Sequence, residues 1–100
     1  MTILTAQALT ARRLAEALEA RDHALRELVG LVDPEDQLST WARAGLIAEA
    51  LEPFSGTPYR ILTHTRRPKS DTDRCLFALC EAECPGSQRR IFDLLRELGL

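Results

Sequence analysis

The sequence feature that most constrains this chain is a run without proline at residues 5–31, in which apolar residues recur every three or four positions. At 100° per residue, this spacing predicts one amphipathic helix with a narrow apolar stripe. The stripe comprises Ala11, Leu14, Leu18, Arg21, Leu25, Leu28 and Val32. Alternating steps of three and four are the spacing of a coiled-coil seam. Gly30 is the predicted end of the helix.

Composition places the chain among single globular domains. One hundred residues predict one domain at residues 1–100, and 45% apolar with 28% charged residues is ordinary for a soluble protein. The net charge of −2 gives a whole-molecule field that favours neither nucleic acid nor acidic membranes. No apolar run approaches 18 residues, and the N-terminus lacks a signal-peptide pattern, so we expect a cytoplasmic protein with no membrane partner.

The sequence after the stripe predicts a second helix. In the segment DPEDQL, Asp33 suits the capping position and Pro34 the first helical position. Pro53 is expected to end this helix near Glu52. Because only two or three residues would then separate the two helices, we expect a helical hairpin.

Residues 53–70 are predicted to be an irregular connector, since Pro53, Gly56, Pro58 and Pro68 all disfavour a continuous helix. Residues 59–65 alternate weakly and are rich in β-branched side chains, which is compatible with a short strand. A single strand is not stable alone. The segment is therefore either an extended connector packed on the helices, which we prefer, or a strand paired with its copy in a dimer.

Two shorter helices are predicted to complete an all-α fold. Ser70 is the expected N-cap of the first, which runs to about Cys84 before Pro85 and Gly86. The last helix spans about residues 87–98. The predicted core contains Leu14, Leu18, Leu25, Leu28, Trp41, Leu79, Phe92 and Leu95.

Cys75, Cys80 and Cys84, with His64, form the one cluster of metal-ligand residue types. Inside a helix, Cys75 would be turned about 140° from Cys80, so three thiolates do not converge on one ion. We therefore interpret the cysteines as packing residues and expect no metal, cofactor or disulfide. Cys84, beside the helix break, is the one predicted to be exposed and reactive.

A basic stretch is the clearest charge asymmetry. Residues 60–74 have a formal charge of +3, and their cations are Arg60, Arg66, Arg67, Lys69 and Arg74. The stretch is either a solvated loop, which we favour, or a surface that contacts phosphates. It contains no glycine-rich phosphate loop and no zinc-finger spacing.

No catalytic arrangement is evident. His23 falls on the polar face of the first predicted helix, His64 lies in the connector, and Ser55 lacks the strand–turn–helix context of a nucleophile elbow. We therefore expect a protein that is not an enzyme.

Two further residues have two interpretations each. Arg21, inside the apolar stripe, either extends its head to water or pairs with a carboxylate of another helix or subunit. Trp41 is either a core residue or an interface anchor. The predicted partner-binding residues are Arg21, Trp41, Arg60, Arg66, Arg67 and Lys69.

The hypothesis that follows is a small protein that acts by binding another protein, as an adaptor, chaperone, anti-activator or inhibitor of bacterial or phage type. The alternative is a small nucleic-acid-binding regulator that uses residues 60–74. A first helix longer than a compact domain of this size predicts a homodimer, because part of the stripe would stay uncovered. In the competing arrangement, the two C-terminal helices fold back and cover the stripe within one chain.

Overall fold

A computed structural model describes the backbone of residues 3–100 and the side chains of residues 10–100. Within these residues the chain forms five helices and no strand, which confirms the predicted all-α class. The helices are α1 (Ile3–Val32), α2 (Thr40–Phe54), α3 (Thr57–Thr65), α4 (Asp71–Glu81) and α5 (Gln88–Glu97).

The core lies between two pairs of packed helices. Helix α1 packs mainly on α4, and α2 packs mainly on α5, while α1 and α2 contact each other less extensively. Helix α3 connects the two pairs by packing on both α2 and α4. The buried apolar residues are Ala24, Leu25, Leu28, Ala44, Ile47, Leu51, Phe54, Leu62, Cys75, Leu76, Leu79, Ile91 and Leu95.

Serine residues begin three of the helices. The hydroxyl oxygens of Ser39, Ser70 and Ser87 accept the main-chain N–H of the residue three positions on, at 3.1, 3.1 and 3.3 Å. Each bond satisfies one N–H that has no partner inside its helix. The predicted cap at Ser70 is confirmed.

The second helix begins later than predicted, at Thr40 instead of Pro34. Asp36 has a positive φ of 54°, so the backbone leaves the helical path directly after the DPE segment. The carboxylate of Asp33 does accept main-chain N–H groups, from Gln37 and Leu38, but it stabilises a loop instead of a helix start. Helix α2 also continues through Pro53 to Phe54.

The predicted irregular connector at 53–70 is wrong for residues 57–65, which form α3. Proline is compatible with the first turn of a helix, where its missing N–H costs nothing, and Pro58 lies there. Pro58, Ile61, Leu62 and Thr65 have helical spacing, and Leu62 is buried. The gain from packing this face outweighs the weak strand preference of the β-branched residues.

Half of the predicted core is correct. Leu25, Leu28, Leu79 and Leu95 are fully buried, whereas Leu14, Leu18 and Trp41 are 61%, 37% and 47% exposed. Phe92 is half-buried.

At 1.5 Å per residue, the 30-residue α1 is about 45 Å long, whereas the 11-residue α4 covers only about 17 Å. The N-terminal part of α1 therefore extends beyond its neighbour.

Candidate interaction surfaces

The first candidate surface is the part of the α1 stripe that no other helix covers. We define it as the α1 seam: Ala11, Leu14, Ala15, Ala17 and Leu18. All of these residues are exposed except Ala17, which is half-buried. In the same stripe, about two and three turns beyond Leu18, Leu25 and Leu28 have no exposed surface. One continuous apolar stripe is thus buried at its C-terminal end and exposed at its N-terminal end.

Arg21 lies between the exposed and buried parts of the stripe. Its guanidinium donates two hydrogen bonds to the carboxylate of Asp22, at 2.8 and 3.0 Å, and the side chain is 20% exposed. The carboxylate partner is therefore the next residue of the same helix. An ion pair between Arg21 and a second subunit would have to compete with this bond.

The second candidate surface is a half-open groove of about 570 Å³ between the end of α2, helix α3 and the start of α4. Its apolar lining comes from all three helices and from the segment between α3 and α4: Ala50, Pro53, Phe54, Pro58, Ile61, Leu62, Pro68 and Leu76. Phe54, Leu62 and Leu76 are core residues, so the floor of the groove is part of the hydrophobic core. Ile61 is 55% exposed and forms an apolar lip.

Two cations of the basic stretch, Arg67 and Lys69, line this groove together with one acid, Asp73. No carboxylate among residues 10–100 lies within ion-pair distance of either cation. The segment from Pro58 to Ser70 contains four cations and no acid. The groove therefore combines an apolar floor with a positive edge.

The other predicted partner-binding residues do not line this groove. Arg60, on α3, donates to the hydroxyl of Thr57 at 3.3 Å, and the Arg66 guanidinium lies 5.9 Å from the centre of the Phe77 ring. Trp41 packs edge-on against Phe92 at 5.4 Å while remaining about half exposed. Trp41 is therefore not a buried core residue, and its role as an interface anchor stays a prediction.

Arg74 does not contribute to the positive edge, because its charge is paired. Its guanidinium donates to Glu27 of α1 at 2.6 Å and to Asp71 at 3.2 Å. The thiol of Cys75 donates to the second oxygen of Glu27 at 2.9 Å. The hydrogen bonds from Arg74 and Cys75 lower the pKa of Glu27 to about 2. Burial, reinforced by Glu27, raises the pKa of Cys75 to about 12.

A second polar cluster holds the loop between α1 and α2. The buried carboxylate of Asp33 accepts from Nε of Arg43 at 2.8 Å, and the same guanidinium also bonds Asp36 and the main-chain oxygen of Leu100. Burial acts to raise the pKa of Asp33, but its hydrogen bonds from Gln37, Arg43 and Leu38 lower it overall. Arg43 thus connects the start of α2 to the end of the described chain.

The cysteines do not form a metal site in this structure. Cys75 is buried, while Cys80 and Cys84 are half-buried and line a separate cavity of about 530 Å³ with Tyr59 and Glu83. Among the described residues, no group of three or more His, Cys, Asp or Glu side chains is placed to hold an ion. Burial raises the pKa of the Cys84 thiol, which argues against the predicted reactivity of this residue.

Neither the groove nor Ile61 was identified from the sequence. The signal that could have found them is the spacing of residues 58, 61, 62 and 65, which is i, i+3, i+4 and i+7 of a helix. In an extended conformation of residues 59–65, Ile61 and Leu62 would lie on opposite faces. As a helix, the two residues share the face that lines the groove.

The sequence matches no known family model, and no curated protein or solved structure is significantly similar to the chain. Among the described helices, none has the combination of length and hydropathy needed to cross a lipid bilayer.

Proposed function

We propose that this chain is a non-enzymatic protein-interaction module that forms a homodimer through the α1 seam and binds another protein. The observation that carries the proposal is the single stripe of α1, buried by α4 at Leu25 and Leu28 but exposed at Leu14 and Leu18. Exposed apolar patches of this kind on a folded protein usually mark interaction sites.

The seam is suited to a second copy of the same helix. Leu14 and Leu18 have coiled-coil spacing, and the positions that flank them toward the seam are Ala15 and Ala17 instead of charged residues. Small flanking side chains let two helices approach closely, and no like charges would face each other across residues 14–18. A two-fold arrangement is the commonest way in which a surface covers itself.

The shape of the molecule agrees with an interface on α1. The radius of gyration is 14.7 Å, against about 13 Å for a compact domain of this length, and the extents are 51 × 31 × 20 Å. Within this class, the roles of adaptor, chaperone, anti-activator or inhibitor, of bacterial or phage type and acting in the cytoplasm, remain our proposal.

Light scattering coupled to gel filtration tests the dimer. At tens of micromolar, the wild type is expected at about twice the chain mass of 11.2 kDa. Leu14→Glu should elute as a monomer with unchanged helical circular dichroism, because the substitution puts a charge into the seam without touching the core. Leu46→Glu, at a leucine of α2 with 39% exposure, is the matched control and should remain a dimer. A monomeric wild type would overturn the dimer.

Nucleic-acid binding is the second candidate, favoured by the exposed cations Arg67 and Lys69, which form no ion pair with a carboxylate of the described residues. Since Arg74 is neutralised by Glu27 and Asp71, the basic surface is smaller than the sequence suggests. Capture of partners from lysate with and without nuclease separates the two functions. A nucleic-acid ligand should be lost with nuclease and with rising salt, whereas a protein bound through apolar contacts should be retained.

A further inference from the structure

We infer that the groove between α2, α3 and α4 receives an amphipathic helix of a partner protein that carries acidic residues beside its apolar anchors. This inference rests on the proposed function, since it names the surface and the kind of partner through which the chain binds another protein. It does not depend on the α1 seam, because no seam residue lines the groove.

The shape of the groove favours a helix over a small amphiphilic molecule. A small-molecule site usually encloses most of its ligand. This groove is half-open, and its lip, Ile61, projects more than half of its surface into solvent. An occupant that covers both the floor near Leu62 and the lip has to lie across the surface. The apolar face of a helix, with anchors at i, i+3, i+4 and i+7, covers a surface in this way.

The charges at the groove favour a partner helix that carries negative charge. Arg67 and Lys69 line it against the single carboxylate of Asp73, and neither cation is paired with a carboxylate of the described chain. Arg60 and Arg66 add positive charge in the same segment. Acidic side chains flanking the apolar anchors of the partner would meet this edge, whereas basic ones would be repelled.

Two synthetic peptides of about 16 residues test the inference. Both carry leucines at i, i+3, i+4 and i+7; one has glutamates on the flanks of the apolar face, and the other has lysines at the same positions. Titrated into the full ¹⁵N-labelled chain, the glutamate peptide should shift amide signals of residues 53–76 and bind at least about tenfold more tightly than the lysine peptide.

Variants of the groove sharpen the test. Ile61→Glu should weaken binding of the glutamate peptide by about tenfold or more, because it places a charge in the lip. Leu38→Glu, at a 37% exposed leucine outside the groove, is the matched control and should bind normally. The double variant Arg67→Glu and Lys69→Glu should reverse the preference and bind the lysine peptide more tightly. A native amide spectrum of each variant establishes that it is folded.

Several results would overturn the inference. These are the absence of groove shifts at about 1 mM peptide, equal binding of the two peptides, or binding of decanoate in the groove when neither peptide binds. If Ile61→Glu converts a wild-type dimer into a monomer, the groove holds a second copy of the chain, which also overturns it. The peptide titration is repeated with Leu14→Glu, so that the two proposals are tested separately. The mass from light scattering tests the dimer, and the amide shifts caused by the peptide test the groove.

Discussion

Glu27 is the residue that joins the longest helix to the C-terminal half of the fold. One carboxylate oxygen accepts from Arg74 and the other from the thiol of Cys75, so both acceptor atoms of a half-exposed side chain face α4. The pKa of Glu27 falls from 4.5 to about 2, because its hydrogen bonds favour the ionised form. A lowered pKa in the folded state means that ionised Glu27 stabilises the fold.

This linkage predicts a specific pH dependence for Glu27→Gln. The stabilisation by Glu27 is complete above its unfolded pKa of about 4.5 and is lost as the pH falls toward about 2. Urea denaturation should therefore show the variant to be less stable than the wild type at pH 7. The difference should shrink steadily below pH 4.5, because a protonated glutamate resembles glutamine. Glu19→Gln, on the exposed part of α1, is the control and should change stability at pH 7 much less than Glu27→Gln does. A difference that stays constant from pH 7 to pH 2.5 would contradict the linkage.

The polar contacts of single residues were the least predictable part of the structure. The sequence predicts Asp33 as the cap of the second helix, whereas the structure places it in the loop before that helix. The sequence also contains no signal that Arg43 would bond Asp33, because their contact depends on the path of this loop. The pairing of Arg74 with Glu27 spans 47 positions and follows only from the packing of α4 on α1. Such long-range pairs are consequences of the fold and not of local pattern.

At the scale of elements, the end of α4 contains a strained residue. Glu83 has a φ of +53°, its N–H bonds the carbonyl oxygen of Cys80, and the N–H of Cys84 bonds that of Leu79. These two bonds form a Schellman motif, whose left-handed position is usually occupied by glycine. Helix α5 ends in the same motif with a glycine, Gly99, at that position.

Glu83→Gly is therefore expected to stabilise the protein by about 0.5–1 kcal/mol, because glycine adopts a positive φ without the clash of a Cβ atom. Thermal or urea denaturation measures the change. Gly99→Ala is the converse variant, since it introduces a Cβ at a φ of 74° where nothing else crowds the site, and it should be destabilising by a similar amount. If Glu83→Gly were less stable than the wild type, the motif would not hold the end of α4.

Helices α4 and α5 were predictable from local signals, whereas the start of α2 and the whole of α3 were not. Ser70 with its two acids and the Pro85–Gly86 break located α4 and α5 to within a few residues. Helix α3 was missed because the segment around it contains four helix-disfavouring residues. Three of them lie outside the helix, and Pro58 lies in its first turn, where proline is tolerated. The groove was missed with α3, since its lip and a third of its lining residues belong to that helix.

At the scale of the whole molecule, the length of α1 determines the shape. The first helix predicted from the sequence is longer than a compact domain of this size is wide, so part of its apolar stripe is expected to stay uncovered. The structure agrees, because residues 10–20 of α1 contain no buried residue. The competing prediction, in which the C-terminal helices cover the stripe, is correct only for the part near Leu25 and Leu28. The core thus stabilises the C-terminal part of α1, whereas residues 10–20 contribute no buried residue to it.

Hydrogen exchange should show this division directly. A helix segment without tertiary packing is marginally stable in water, so amides of residues 12–20 should exchange rapidly in dilute monomer. Association through the α1 seam would bury Leu14 and Leu18, so the protection of these amides should rise with protein concentration. The amides of α5, whose packing lies within one chain, serve as the internal control and should not change. In Leu14→Glu, residues 12–20 should exchange rapidly at every concentration. If the amides of residues 12–20 are equally protected at about 1 μM and about 100 μM in the wild type, association of the chain does not bury the seam. The exposed stripe would then not be the dimer interface.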